Sequence, residues 1–72
     1  METRMFDRST TVLSSDRKHS ETFNRGERVK NIRRIGIRVM FEPVDIRHVA
    51  GTYAMDWVEF EMNSTAVREA QA

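Results

Sequence analysis

Two histidines, His19 and His48, are the first side chains to consider for catalysis. His48 follows Asp45 by three residues and stands next to Arg47, whereas His19 lies in a polar stretch. A nucleophilic site also needs an activated hydroxyl or thiol beside the base, and nothing in the sequence places one next to either histidine. We therefore predict structural or surface histidines, no catalytic residue and no enzyme.

Metal and cofactor sites also lack a sequence signature. The chain has no cysteine and two histidines, which argues against a zinc site. Asp56, Glu59 and Glu61 are close in sequence, but their spacing matches no known cation-binding loop. The glycine motifs that bind phosphate groups are missing as well. We expect neither a metal nor a cofactor.

The densest group of charged residues is a cluster of six cations within fourteen positions. Its members are Arg25, Arg28, Lys30, Arg33, Arg34 and Arg38. On a strand, Arg34 and Arg38 share a face. With Phe23 or Tyr53 nearby, such a face would suit single-stranded nucleic acid. The sequence pI of about 8.3 is modest for that role, so we keep nucleic acid as the alternative partner.

The net charge of +1 conceals an uneven distribution. Residues 1–38 contain ten Lys or Arg and five Asp or Glu, a charge of +5, and residues 39–72 contain two and six, a charge of −4. The two regions either neutralise each other across paired strands or present a surface that attracts a charged partner. The sequence leaves both interpretations open.

A binding surface for another protein is the hypothesis we prefer. Trp, Tyr, Met and Arg are enriched at interfaces. Here the arginines belong to the cationic cluster, and candidate residues of the other three types lie in the second half of the chain. Trp57 as a core residue is the competing interpretation. The predicted partner-binding residues are Arg28, Lys30, Arg33, Arg34, Arg38, Met40, Tyr53, Met55 and Trp57.

The element expected to position these residues is a strand within Val29–Glu42. From Ile35 the chain alternates, with Ile35, Ile37, Val39 and Phe41 on one face. Pro43 ends the pattern because it has no N–H to donate to a ladder. This predicts a half-buried central strand with those four side chains inward.

The segment before this strand has turn chemistry. Asn24-Arg25-Gly26-Glu27 lies between Phe23 and Val29, two apolar anchors. The run Phe-x-x-Gly-Glu-Arg-Val, seven residues long and followed by a strand, resembles the opening of small SH3-like barrels such as Tudor or KOW modules. The resemblance implies a small, mainly β fold, an antiparallel sheet or a half-open barrel.

Three further elements follow the central strand. Residues 43–51 read as a short helical turn near 43–50 or as an irregular arm. Residues 52–62 read as a second strand whose apolar residues change face at Trp57 and Val58. That change predicts a β-bulge or, without one, an apolar trio exposed as a contact surface. Residues 63–70 have caps and helix formers, which predicts a short C-terminal helix.

The first 22 residues have the weakest pattern. They predict either a short edge strand near residues 10–13 or a mobile tail, ahead of a single β domain at residues 23–72. The predicted core consists of Phe23, Val29, Ile35, Ile37, Val39, Phe41, Val49, Val58 and Phe60.

Chain length and composition limit the class of protein. With 72 residues the chain forms at most one small domain. It has no apolar run near the roughly 20 residues that span a bilayer and no signal-peptide h-region, so we expect a soluble cytoplasmic protein without a membrane partner. We expect a small regulator that docks on a larger machine. By size alone it compares with phage inhibitors of RNA polymerase or of nucleases, and self-association stays open.

Overall fold

The computed structural model describes residues 2–68. In this part of the chain, seven strands and one short helix follow each other in the order β1 to β6, α1, β7. Their bounds are β1 Glu2–Phe6, β2 Thr10–Ser14, β3 Ser20–Phe23, β4 Arg28–Ile35, β5 Arg38–Pro43, β6 Tyr53–Asp56, α1 Trp57–Asn63 and β7 Ser64–Arg68.

The strands form a single antiparallel sheet in the order β3-β2-β6-β5-β4-β1-β7. The sheet curls into a half-open barrel, so the predicted fold class is confirmed. The turn predicted after Phe23 is also present, since the Glu27 N–H donates to the Asn24 carbonyl over 3.0 Å and Gly26 has φ of +91°.

The predicted central strand is in fact two strands, β4 and β5, joined by a tight turn at Gly36 and Ile37. Ile35 pairs with Arg38 across this turn, and Gly36 has φ of +61°. A positive φ at the first central residue, Gly36, and not at the second, Ile37, is the signature of a type II′ hairpin turn. The strand prediction was wrong at this point because a two-residue turn interrupts a strand without disturbing the alternation. Gly36 was the residue that indicated a turn, but the alternating pattern around it favoured a continuous strand.

A bulge divides β4 into two parts. The register moves from Lys30 opposite Glu42 to Arg33 opposite Met40, so β4 holds one more residue than β5 over this interval. Asn31 has φ of +52°, a left-handed conformation that asparagine tolerates better than most residues. The bulge increases the local twist of the hairpin.

The segment between β5 and β6 is a turn and not the predicted helical turn. The His48 N–H donates to the Asp45 carbonyl over 3.3 Å, and the Arg47 N–H donates to the Asp45 side chain over 3.0 Å. An aspartate that bonds the backbone two residues on favours a local turn over a helix.

The second predicted strand, at residues 52–62, is wrong in its second half. β6 ends at Asp56, and α1 begins at Trp57. The change of apolar face marks this strand-to-helix boundary and not a bulge. The predicted C-terminal helix is likewise replaced up to residue 68 by β7, and residues 69 and 70 of that prediction lie outside the described residues.

The N-terminal residues take part in the sheet. β1 lies between β4 and β7, and β2 lies between β3 and β6. The strand predicted near residues 10–13 therefore exists as β2, but it is an interior strand and not an edge strand.

The core lies on the concave side of the sheet. Its buried apolar residues are Phe6, Val12, Phe23, Val29, Val39, Phe41, Tyr53, Met55 and Phe60. Five of the predicted core residues are among them. The other four predictions were wrong, because Ile35, Ile37, Val49 and Val58 are more than half exposed. Two of these lie at the hairpin turn, and Val58 lies on the outer side of α1.

Candidate functional site

The end of the β4–β5 hairpin brings together three of the nine predicted binding residues. We call residues 33–38 the tip. All six are exposed, and they include two large apolar side chains, Ile35 at 55% and Ile37 at 73% exposure. Arg33, Arg34 and Arg38 flank these isoleucines in the sequence. The tip thus combines apolar contact area with charged groups that can form bidentate hydrogen bonds.

The start of α1 fixes the tip in place. The Trp57 N–H donates to the Ile37 carbonyl over 2.8 Å. The Arg34 guanidinium lies over the Trp57 ring, 4.8 Å from its centroid, and its Nε donates to the Gly36 carbonyl over 3.0 Å. A surface that is already ordered loses less conformational entropy when a partner binds.

Opposite charges face only part of the cationic cluster. In the sheet register, Lys30 lies opposite Glu42 and Arg38 lies opposite Asp56. The neighbours of Arg33 and Arg34 across the hairpin are uncharged, namely a methionine and a valine. Neutralisation across strands therefore accounts for two of these four cations, and two arginines face no carboxylate across the hairpin.

Two of the predicted binding residues are core side chains. Tyr53 is completely buried, and Met55 is 8% exposed. The Tyr53 hydroxyl donates to the Val49 carbonyl over 2.7 Å and lies 3.1 Å from His19 Nε2.

Three others are neither part of the tip nor core residues. Met40 and Trp57 are half-buried, and Arg28 lies at the opposite end of β4 from the tip, paired with Met5. Trp57 packs against the core, so its contribution to a surface is limited to the edge beside Arg34.

The other exposed large apolar residues of the described chain lie outside the tip. They are Leu13, Val44, Ile46, Val49, Val58 and Met62. Ile46 is the most exposed, at 98%, and has an arginine neighbour. That neighbour, Arg47, is bonded to Glu27 at 2.5 Å and lies 3.6 Å from Asp45. The tip is therefore the better candidate for an interface that uses both apolar and cationic groups.

A shallow hollow opens beside the tip on the outer face of the hairpin. Its volume is about 390 Å³, and its lining residues are Asn31, Ile32, Arg33, Met40, Glu42 and Thr52. The lining includes an arginine and a glutamate, so the hollow suits a polar side chain better than an apolar ligand.

A second polar cluster surrounds His48 on the concave side. Its Nδ1 lies 2.6 Å from Glu21 Oε1, and its Nε2 lies 2.6 Å from Glu27 Oε1. Because both acceptors are carboxylates, both ring nitrogens must donate, which requires the imidazolium form. The ring stacks on Phe23 with centroids 4.4 Å apart, and the residue is 8% exposed. Neither nitrogen is available as a base.

The charges of this cluster hold each other in the ionised state. Burial alone lowers the pKa of His48, but the hydrogen bonds that its ring donates to Glu21 and Glu27 outweigh that effect, so the net shift of the pKa is upward. Burial likewise raises the pKa of Glu27. Bonds from Arg47, the Asn24 N–H and His48 outweigh that effect and lower the pKa to about 2.

This cluster has no signature in the sequence, which predicts only a structural or surface role for His48. Its members stand 21 and 27 positions apart from His48 in the chain, and no local spacing connects them. Only the pairing of distant strands brings them together. Among residues 2–68, no three His, Asp or Glu side chains are arranged to hold a metal ion.

Comparison with known proteins adds no relative. No protein-family model, curated protein or solved structure matches the chain. Within residues 2–68, no helix has the length and apolar character needed to cross a bilayer.

Proposed function

We propose that the protein is a small non-catalytic regulator that binds another protein through the tip. The observation that carries this proposal is the exposure of Ile35 and Ile37 between arginines on a fixed hairpin. Arginine is over-represented among residues that dominate binding energy, and apolar area is the main source of favourable association energy. Burying one isoleucine fully is worth about 1.5–3 kcal/mol.

Cationic groups beside the isoleucines favour an acidic partner surface. Arg33 and Arg34 face uncharged residues across the hairpin, so their fields are not cancelled there. Complementary charge accelerates association and selects among partners. The chain is similar in size to phage proteins that inhibit RNA polymerase or nucleases. The transcription machinery and nucleases are therefore the partners to test first.

Nucleic acid remains the second candidate, favoured by the arginine density of β4 and β5. The placement of the aromatic residues weakens it. The four phenylalanines and Tyr53 are completely buried, and Trp57 is half-buried with Arg34 over its ring. Single-strand binders use exposed aromatic rings as stacking platforms, and these rings do not provide one.

The proposal can be tested with a photo-crosslinking amino acid at position 37. We expect protein adducts in an extract of cells that naturally contain the protein, unchanged by nuclease treatment. Unlabelled wild-type protein should compete for the adduct, whereas the Arg34→Glu variant should not. Arg8→Glu carries the same charge change at another exposed arginine and serves as the matched control.

The second crosslinking position is Ile46, exposed and apolar but distant in sequence from the tip. Adducts from position 46 and none from position 37 would move the interface to the β5–β6 segment and contradict the proposal. Adducts that vanish after nuclease treatment would indicate nucleic acid as the direct partner.

A further inference from the structure

Only part of β4 has strands on both sides. β5 pairs with β4 up to Ile35. On the other side, β1 pairs with β4 at Arg28 and Val29. Beyond the bulge, residues 32–35 have no second neighbouring strand within the described chain. Four residues of strand correspond to about 13 Å of open sheet edge.

The backbone of Arg34 points toward this open edge. Ile35 and Arg38 flank the two-residue turn and form its hydrogen-bonded pair. Hydrogen-bonded and non-hydrogen-bonded pairs alternate along an antiparallel ladder, so Arg34 and Val39 form a pair without mutual bonds. The N–H and C=O groups of Val39 face β6, where it pairs with Met55. The corresponding groups of Arg34 face no strand of the described chain.

Charge determines which strand can occupy this edge. Arg33 and Arg34 are exposed, and neither has a carboxylate opposite it on β5. A second copy of the same edge would place arginines against arginines, which is unfavourable. Charged edge residues are a known protection against such pairing. A strand with carboxylates at two adjacent positions would instead gain a partner for each guanidinium, because Arg33 and Arg34 lie on opposite faces of β4.

The hollow beside the tip adds a place for one side chain. Arg33 lines it and lies on the same face as Met40, its neighbour across the hairpin. A residue directly opposite Arg33 on an added strand would lie on that face too. Its side chain would therefore stand next to the hollow of about 390 Å³.

We propose that the protein binds an extended acidic segment of its partner by strand addition at the open edge of β4, residues 32–35. This inference rests on the protein-binding function proposed above and specifies its mode. Main-chain hydrogen bonds to Arg34 fix the register, and carboxylates beside Arg33 and Arg34 select the segment.

A capped eight-residue peptide with two adjacent glutamates at its centre, flanked by valine and threonine, is a direct probe, because adjacent residues of a strand reach the opposite faces on which Arg33 and Arg34 lie. Nuclear magnetic resonance titration gives its affinity, and amide hydrogen exchange reports on each backbone N–H. We expect the Arg34 amide to exchange at least tenfold more slowly with bound peptide. The same peptide with lysine in place of glutamate should bind at least tenfold more weakly.

Two changes isolate the backbone contribution from the charge. Arg34→Pro removes the outward N–H without removing a bond of the β4–β5 ladder, whereas Arg34→Ala keeps the N–H and removes the same charge. We expect binding to fall further in the proline variant than in the alanine variant. A peptide N-methylated at every residue cannot donate from either edge, so it tests the same bonds on the wild-type protein and should bind at least tenfold more weakly.

Three results would each overturn strand addition. The first is an equal loss of binding in the two Arg34 variants together with undiminished binding of the N-methylated peptide. The second is no protection of the Arg34 amide, and the third is tighter binding of a single-stranded oligonucleotide than of the peptide. A dimer in sedimentation that protects the same amide would assign the edge to a second copy.

The proposed function can survive the failure of this inference. If the position-37 adduct forms equally well with Arg34→Pro and the acidic peptide does not bind, the partner contacts the tip without adding a strand. If neither the adduct nor the peptide is observed, both proposals fail.

Discussion

At the scale of single residues, His48 has both of its ring nitrogens bonded and one face of its ring stacked on Phe23. Glu21 and Glu27 each lie 2.6 Å from a ring nitrogen. Arg47 and the Asn24 N–H bond the remaining oxygen of Glu27, each at 2.5 Å. The charges are therefore paired as a network, and removal of one member would leave a partly buried charge without its partner.

This network predicts a stability maximum in mildly acidic solution. Glu27 has a pKa lowered from 4.5 to about 2, so its contribution is complete above pH 4.5 and is lost as the pH falls toward 2. His48 has a raised pKa, so its contribution is complete below pH 6.5 and is lost as the pH rises through its folded value. We expect the unfolding midpoint in denaturant to be highest between pH 4.5 and 6.5.

Glu27→Gln and His48→Gln separate the two limbs of this profile. Glu27→Gln should flatten the acidic limb, and His48→Gln should flatten the limb above pH 6.5, because each variant removes one titrating group. Lys18→Gln, at an exposed position of the β2–β3 turn, serves as a control that should leave both limbs in place. A midpoint that continues to rise from pH 6.5 to 9 would contradict the role assigned to His48.

At the scale of elements, the junction of β6 and α1 depends on one side chain. Asp56 accepts hydrogen bonds from the Val58 and Glu59 N–H groups, 2.9 and 3.2 Å long. We expect Asp56→Ala to lower the free energy of unfolding by about 1 kcal/mol, since these amide groups would lose their acceptor. Asp56→Asn keeps an accepting oxygen and should cost less than half as much. Equal losses of the two variants in urea denaturation would show that the accepting oxygen of Asp56 is not the source of the stabilisation.

The turn between β4 and β5 gives a second prediction for an element. Gly36 has φ of +61°, and an added Cβ would meet no atom within 4 Å, so a substitution there has a conformational cost without a steric clash. Gly36→Ala should destabilise the protein by about 1 kcal/mol. D-alanine, introduced by chemical synthesis, prefers positive φ and should be neutral or stabilising. The same loss with both enantiomers would contradict this explanation.

The same two elements show where sequence reasoning succeeded and where it failed. Alternation located Val39 and Phe41 in the core correctly, because burial of one sheet face imposes a period of two. Alternation continues through a two-residue turn, so it could not distinguish one long strand from a hairpin at Gly36. The aspartate cap at residue 56 was a readable helix signal, and the strong apolar content of residues 57–62 concealed it.

At the scale of the whole molecule, the candidate site was only partly predictable. The arginines of the tip were identified from composition, and their exposure follows from their charge. Tyr53 and Met55 were assigned to the surface by residue type, yet they are core residues. Whether a large side chain faces the core depends on which strands enclose it. That information resides in the pairing of distant segments and not in local pattern.

The N-terminal strand is the clearest case of such long-range dependence. Phe6 of β1 is completely buried, and its ring lies 5.4 to 6.0 Å from those of Phe23, Phe41 and Phe60. Its backbone also exchanges two hydrogen bonds with the turn before β4, at Gly26 and Glu27. The first strand therefore closes the core from the side opposite β6.

Phe6→Ala should consequently be among the most destabilising substitutions in the chain. Truncation of a fully buried phenylalanine costs about 3–5 kcal/mol, and a 72-residue domain has a total stability of roughly 4–11 kcal/mol. We expect a large fall in the midpoint of thermal unfolding and broadened amide resonances at 25 °C. Phe6→Leu, which preserves most of the volume, should lose less than half as much.

Met5→Ala is the matched control on the same strand, because this neighbouring side chain is half-buried and outside the core cluster. It should cost under about 1 kcal/mol, the usual range for positions away from the core. If Phe6→Ala and Met5→Ala proved equally mild, residues 2–6 would be a dispensable extension, and the core would be complete without β1. A severe loss confined to Phe6→Ala would establish that β1 is an integral part of the core and that the Phe6 ring is its anchor.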